Sequence, residues 1–540
     1  MIWLVQDFDL LSVLLRALAL SLEALTVGGV IVLLFVASAG AEEPAARTAV
    51  RNFISWFALA LAIIQALAAA ESTLMLMAGG SDLSIRDVMA ASFFRADCLL
   101  SVAALALFFF ARLSYDWAAR VAAAVIVAAS IALSHAASRV DHRPLLLILT
   151  AAHHLGAAAW IGGLASLLVA IRRINDPRNI HPMTERFSRM AMVSVAVLAL
   201  AGVGMTWFFV GSWKAMYGTS YGLMILAKAY LLLLALGLGA SNFWLVRSTR
   251  SDAAPTLIRL RRFSEAEIGL GFTALLAAAS ITSQAPAIDL TPQEVLTRHE
   301  IVQRMSPKPL VLHSPNHADL PKAPPLKAHL EEASFAGGRT NDLLNRKWSE
   351  YNHQWSGLIV LAAGLLAFVS RFKGQRWAKN WPLLFIGLAI FIILRADADT
   401  WPLGPRSFWE SFAEVDVLEH RFFAFLITCF ALFEWAVETG RLKSQKAALV
   451  FPALCAVGGA LLITHTHATG DIKDEVFAEM SHTPIALLGV TAGWGRWLEL
   501  RGLQGEPSSD EEPAVIRIAR WLWPLCLVLV GLVLLNYRES

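Results

Sequence analysis

Two adjacent histidines, His153 and His154, lie inside an apolar run from Leu145 to Ile171. A run of this length can cross a bilayer as a helix, where polar side chains are costly and usually face other helices. Small residues dominate the stretch 156–163 that follows and would let neighbouring helices approach closely. We therefore expect both imidazoles to face protein, either as metal ligands or as partners in an interhelical hydrogen bond.

Further histidines border apolar runs at positions that suit a metal ligand, since imidazole binds copper and zinc. The candidate ligands are His135 and His153, with His154 in reserve, in the N-terminal part and His420, His465, His467 and His482 in the C-terminal part. Methionine adds a soft ligand for Cu(I), but methionines in apolar helices more often serve packing. Met75, Met77, Met89 and Met480 are therefore secondary candidates.

The C-terminal histidines predict a second polar site beside the carboxylates Asp397, Asp399 and Glu475. If they share one metal, at least two of the imidazoles should have nitrogens within about 5 Å of each other. Carboxylates within reach would then orient the rings. The alternative is that each histidine anchors a helix end at a polar interface.

Composition places the chain among polytopic membrane proteins. It has 540 residues, of which 57% are hydrophobic and 16% are charged, and its mean hydropathy is +0.57. The four cysteines contain no CxxC pair, which argues against a disulfide framework and a thiolate metal cluster. We predict an all-α transmembrane bundle with about fourteen spans at 10–37, 53–78, 93–111, 117–137, 145–171, 190–211, 220–246, 265–285, 354–370, 381–394, 417–438, 447–466, 481–498 and 519–537.

Arginine and lysine clusters between the spans predict the orientation, because positive charge favours the cytoplasmic side. Four such clusters fall on one side, so both termini are expected outside the cytoplasm. The predicted domains are an eight-helix module (1–285), an extracytoplasmic loop that contains Pro and His (286–352) and a six-helix module (353–540). All the candidate histidines then lie in the outer half of the membrane or at its outer surface.

Charges inside the predicted spans are a separate signal. Glu23 is in the middle of the first span with Arg16 two turns away, which suits either a structural ion pair or a cation path. Lys228 is near enough the outer end of its span to snorkel. Glu265 and Glu267 are predicted to open the eighth span, where a helix N-terminus favours anions.

The sequence from about residue 130 to 285 resembles the CopD family of copper-resistance membrane proteins. The resemblance rests on His153, Trp160 and Gly162-Gly163-Leu164, then Arg186-Phe187-Ser188-Arg189, Thr219-Ser220-Tyr221-Gly222 with Lys228, Asn242, and Arg261-Arg262-Phe263-Ser264-Glu265-Ala266-Glu267. It implies a copper transporter of the bacterial inner membrane, with uptake from the periplasm and help from a periplasmic copper carrier. It also favours copper over zinc as the bound ion.

The chain lacks the GxxxxGK[ST] loop, so nucleotide-driven pumping is not indicated, and we predict a transporter and not an enzyme. The main alternative is a redox or assembly protein that binds haem b through paired histidines or delivers copper to an oxidase.

Overall fold

The computed structural model describes residues 8–36, 43–78, 84–174, 179–248, 254–320, 343–413, 415–463, 472–502 and 514–538. Within these ranges the regular structure is helical, which agrees with the all-α prediction. The chain forms two compact units. The first unit comprises Phe8–Ser212 with Lys228–Asp289, and the second comprises Trp213–Ala227 with Leu290–Ser540.

Over the residues that the structure describes, each of the fourteen predicted spans is mostly helical. Eleven helices there are long and apolar enough to cross a membrane. The three others are helices 116–132 and 450–462, which are short, and helix 472–502, which carries several charged residues. The structure thus supports a polytopic helical bundle, while the number of spans stays a prediction.

The first unit is built from long apolar helices around a core of Val, Leu, Ile and Ala side chains. Its helices are α1 (Phe8–Phe35), α2 (Pro44–Ala78), α3 (Ile85–Ala90), α4 (Ser92–Arg112), α5 (Asp116–Ala132), α6 (His135–Ser138), α7 (Arg143–Ala157), α8 (Gly163–Ile171) and α9 (Ile180–Val210). A short α10 (Trp213–Gly218) belongs to the second unit, and α11 (Ser220–Ser248) and α12 (Ala254–Thr282) follow.

A π-helical segment, Ala158–Gly162, joins α7 to α8 and packs directly against α1. The contact is between backbones. A Cβ atom on Gly162 would overlap the carbonyl of Ala24, and one on Gly28 would overlap the carbonyl of Ala158. Glycine is therefore required at this crossing, and the small residues predicted to bring helices together do so here.

The second unit has its own core, centred on the buried Trp381, Phe451 and Trp523. Its helices are α10, α13 (Arg298–Met305), α14 (Leu343–Val369), α15 (Leu383–Arg395), α16 (Val415–Glu438), α17 (Val450–Leu462), α18 (Ile472–Gly502) and α19 (Ala514–Leu535). The described part of the predicted loop packs on this unit. Val311 N donates to Gln354 Oε1 (2.6 Å), and Asn536 Nδ2 donates to the carbonyl of Met305 (3.2 Å).

Candidate functional site

Glu23 and His154 meet in the interior of the first unit. His154 Nδ1 lies 3.3 Å from Glu23 Oε1, and Ser130 Oγ donates to Glu23 Oε2 at 2.7 Å. Glu23 is buried on α1, His154 is largely buried on α7, and Ser130 comes from α5. Three helices therefore contribute to one polar group within an apolar core.

Arg16 and Asp97 extend this polar region along α1 towards α4. The charges of Glu23 and Asp97 both act on Arg16, although Arg16 makes no direct ion pair with either in the described chain. Gln65 Nε2 donates to Asp97 Oδ1, and both residues are buried. Glu23 thus has His154 and Ser130 as direct partners instead of the Arg16 ion pair that was one sequence-based alternative.

His153 faces a different helix from His154. Its Nδ1 lies 3.1 Å from the carbonyl of Leu198 on α9, and its ring also borders Gly202. Lys228, on α11, acts on His153 through its charge and forms no ion pair within the described ranges. Both adjacent histidines therefore make an interhelical hydrogen bond, His153 with α9 and His154 with α1.

His135 lies at the start of α6, away from His153. Its Nε2 is 3.4 Å from the carbonyl of Ile281, and its ring faces Phe209, 6.3 Å between centroids. Phe209 and Leu198 are eleven residues apart on α9, about 16 Å along a helix. His135 and His153 thus contact well-separated parts of α9, and the structure does not bring them to one metal.

Trp160 forms part of a second buried polar group. Its Nε1 donates to Glu267 Oε1 at 2.7 Å, and Asn242 Nδ2 donates to Glu267 Oε2 at 3.0 Å. Glu267 lies thirteen residues after the start of α12 at Ala254, so a helix N-terminus does not explain it as the sequence suggested. The predicted span began too late, at residue 265, because the cluster of Arg259, Arg261 and Arg262 was interpreted as a cytoplasmic loop.

In the second unit, His420 pairs with a predicted carboxylate. Its Nδ1 lies 2.9 Å from Asp397 Oδ1. His482 is buried, with Nδ1 2.8 Å from the carbonyl of Ala478 in the preceding turn of α18. Glu475 lies in the first turn of the same helix. His465 and His467 fall outside the described residues.

His482 also belongs to a ring cluster that the sequence did not indicate. His353 stacks on Tyr537 at 3.7 Å between centroids, and His482 meets both rings edge-on at about 6 Å. A cavity of about 260 Å³ beside Tyr537 is lined by Met305 and Met480, among others. The second unit therefore gathers imidazole and thioether groups near one another.

A buried ion network in the second unit was also missed by sequence reasoning. Arg496 contacts Glu434, Glu438 and Glu499, each at 2.7 Å. Arg371 Nη1 and Trp523 Nε1 also donate to Glu499. The available signal was that Glu434 and Arg496, of opposite charge, fall inside the predicted spans 417–438 and 481–498.

Across the described ranges, no group of three or more His, Cys, Asp or Glu side chains is arranged to hold a metal ion. In two of the polar groups a carboxylate faces Nδ1 of an imidazole, Glu23 with His154 and Asp397 with His420. A carboxylate in this position orients a metal-binding histidine and leaves Nε2 as the nitrogen to bind the ion.

Comparison with known proteins identifies a copper-related segment. Residues 181–281 match the family described as CopD, Copper resistance protein D, which confirms the resemblance noted from the sequence. The chain is similar to the "Copper transport protein CutJ" of Bacillus subtilis (strain 168), with 29% identity over 150 residues. That alignment covers 27% of this chain and 27% of the relative. No solved structure gives a significant match, and the comparisons lend no support to haem.

Proposed function

We propose that this chain carries copper ions across the bacterial inner membrane, from periplasm to cytoplasm, and so contributes to copper homeostasis and resistance. The family match, the copper-transport relative and the membrane-length helices support a copper transporter. The observation that carries the proposal is the buried Glu23–His154–Ser130 group in the first unit.

The chemistry of this group suits a copper ion in transit. Glu23 orients His154 through Nδ1, so Nε2 offers a lone pair to the ion. The carboxylate also supplies negative charge where a cation would otherwise cross an apolar interior. Fewer ligands than the four of a closed structural site hold the ion weakly, which allows release.

In this proposal the other histidines bind copper transiently as it enters the protein and moves through it. His135 and His153 line the way to and from the central group, with Lys228 and Trp160 beside it. On the second unit, Asp397–His420 and the neighbourhood of His482, Glu475, His465 and His467 accept copper from a periplasmic carrier. Both termini and the 286–352 loop lie on the periplasmic side.

Copper uptake into proteoliposomes that contain the purified full-length chain tests the proposal. We expect the wild type to accumulate Cu(I), whereas Glu23→Gln and His154→Ala reduce the initial rate at least tenfold. His181→Ala is the matched control, because His181 is exposed and distant in sequence from the group, and it should retain the rate. Full uptake by Glu23→Gln would remove this group from the pathway. If copper enters only those vesicles in which the cytoplasmic side of the protein faces outwards, the direction of transport is from cytoplasm to periplasm.

A further inference from the structure

Glu267 holds a buried carboxyl group, and no cationic side chain that the structure describes pairs with it. Only 6% of the residue is exposed, and its two oxygens accept hydrogen bonds from the neutral donors Trp160 Nε1 and Asn242 Nδ2. In the described chain it forms no ion pair. An ionised carboxylate is costly in such a place, which favours the neutral acid.

Among the described side chains, the charged and titratable groups on the elements around Glu267 are Arg16 and Glu23 on α1, Tyr221, Lys228 and Tyr230 on α11, and Arg259, Arg261, Arg262 and Glu265 on α12 itself. The π segment and α8 carry none. Glu265 pairs with Arg261 at 3.1 Å and is therefore compensated, unlike Glu267. Two carboxyl groups only two residues apart on α12 thus differ sharply in their surroundings.

The side-chain amide of Asn242 gives a second reason to expect that the Glu267 carboxyl group is protonated. Its Oδ1 is buried and accepts no hydrogen bond within the described part of the chain. A protonated carboxyl group has an O–H to donate, which an ionised carboxylate lacks. If the amide is turned over, its oxygen takes the place of Nδ2 and faces Glu267 Oε2, and only the protonated acid can donate to it.

Trp160 connects this group to the copper group. It lies in the π segment, six residues after His154 on one continuous helical run, about 9 Å along the axis. Such π segments often occur at functional sites. Loss of the Glu267 proton strengthens the bond from Trp160, because a charged acceptor holds an N–H more tightly. A change at Glu267 can therefore reach the π segment, which directly continues α7, the helix that carries His154.

The geometry points to Glu267 as a proton-binding site, held by Trp160 and Asn242, that couples proton movement to copper movement in the first unit. The coupling rests on the proposed copper transport, whereas the proton site itself does not. Trp160 and Asn242 act as positioning residues. The reaction is the transfer of one proton to and from the carboxylate, without redox chemistry.

Infrared spectroscopy tests the proton site without transport. The wild-type chain in lipid should show the carbonyl band of a protonated carboxylic acid at neutral pH. Glu267→Gln should remove this band and Glu267→Asp should shift it, whereas the paired neighbour variant Glu265→Gln should leave it in place. Persistence of the band in Glu267→Gln, or its absence in the wild type, would overturn the proton site.

Transport measurements test the coupling. An inward proton gradient should accelerate net copper uptake by the wild type and by Glu265→Gln. For Glu267→Gln, the rate of net copper uptake should not depend on the proton gradient. This variant should still exchange internal for external copper, because exchange requires no net proton transfer. Wild-type uptake that is indifferent to the gradient would refute the coupling alone. Absence of both uptake and exchange in the wild type would refute copper transport, and the infrared result would still decide the proton site.

Discussion

Arg496 directs two hydrogen bonds at a single oxygen of Glu434, from Nε at 3.1 Å and from Nη2 at 2.7 Å. Both side chains are almost entirely buried. Arg496 also reaches Glu438 and Glu499, and its guanidinium lies 5.2 Å from the centroid of the Trp523 ring. The network joins α16, α18 and α19 in the second unit through charge as well as packing.

Removal of Arg496 should destabilise the second unit strongly. Arg496→Leu leaves buried carboxylates without their main counter-charge, for which a loss of about 3–5 kcal/mol is typical. Thermal unfolding in detergent measures the effect. Arg189→Leu is the control, since Arg189 and Glu185 form an exposed pair whose contribution is below about 1 kcal/mol. Equal midpoints for the two variants would mean that the network does not stabilise the fold.

Substitution of the two adjacent histidines should have different consequences. His154→Ala removes the partner of Glu23 and should impair copper uptake. His153→Ala removes one bond to the Leu198 carbonyl and one proposed ligand on the way to the central group, so it should lower stability by about 1 kcal/mol and slow uptake less than His154→Ala does. Paired measurements of uptake and unfolding separate the roles. The reverse pattern, with uptake lost only in His153→Ala, would contradict the assignment.

The sequence predicted the helices well and their mutual contacts poorly. Apolar length is enough to locate a membrane helix, and each predicted run is mostly helical where the structure describes it. Adjacent residues on a helix point about 100° apart, however, so His153 and His154 must face different neighbours. Which neighbour each one meets depends on helix rotation and packing. Hydropathy does not contain that information, and the link between Glu23 and His154 could not be predicted.

The residues that carry the family resemblance also show that contacts between helices could not be predicted from the sequence. Trp160, Asn242 and Glu267 each contribute to the sequence resemblance, yet they are separated by up to 107 positions. Only the fold shows that they form one buried group. Charge pattern misled the prediction of where α12 begins, because arginines inside a helix resemble a cytoplasmic loop.

The crossing of α1 and the π segment should not tolerate a methyl group. Gly162→Ala places a Cβ on the Ala24 carbonyl and must push two backbones apart, which typically costs about 1–3 kcal/mol or more. Gly237→Ala on α11 is the matched control. No atom lies within 4 Å of its added Cβ, so it should be neutral or gain about 0.5–1 kcal/mol in helix stability. Unfolding midpoints that fall equally in both variants would argue against the close approach.

Acid should weaken the contact between α13 and α18. The hydrogen bond from Lys473 to Glu300 (2.6 Å), together with those from Thr297, lowers the pKa of Glu300 from 4.5 to about 2. Because the folded pKa is the lower one, the stabilisation is complete above pH 4.5 and is lost as the pH falls through 2. Lys473→Met should therefore reduce the unfolding midpoint near neutral pH and lose its effect towards pH 2.

Glu294 provides the control for this pH dependence. Its pKa is lowered by hydrogen bonds from Thr291 and not by Lys473, so Glu294→Gln should leave the difference between wild type and Lys473→Met unchanged. A difference that grows on acidification would show that Lys473 stabilises the protein through some other partner.

The segment before α14 should be accessible from the periplasm. Arginine and lysine clusters border the flanking spans and favour their retention on the cytoplasmic side. Ser314 is exposed in the described part of this segment, so a cysteine there should react with a membrane-impermeant thiol reagent on intact spheroplasts. The four native cysteines must first be replaced, since Cys98 is itself exposed. A cysteine at Lys373, in one of the basic clusters, should react only after lysis. The opposite labelling of the two positions would invert the orientation, and with it the direction of entry assigned to every histidine in the proposed pathway.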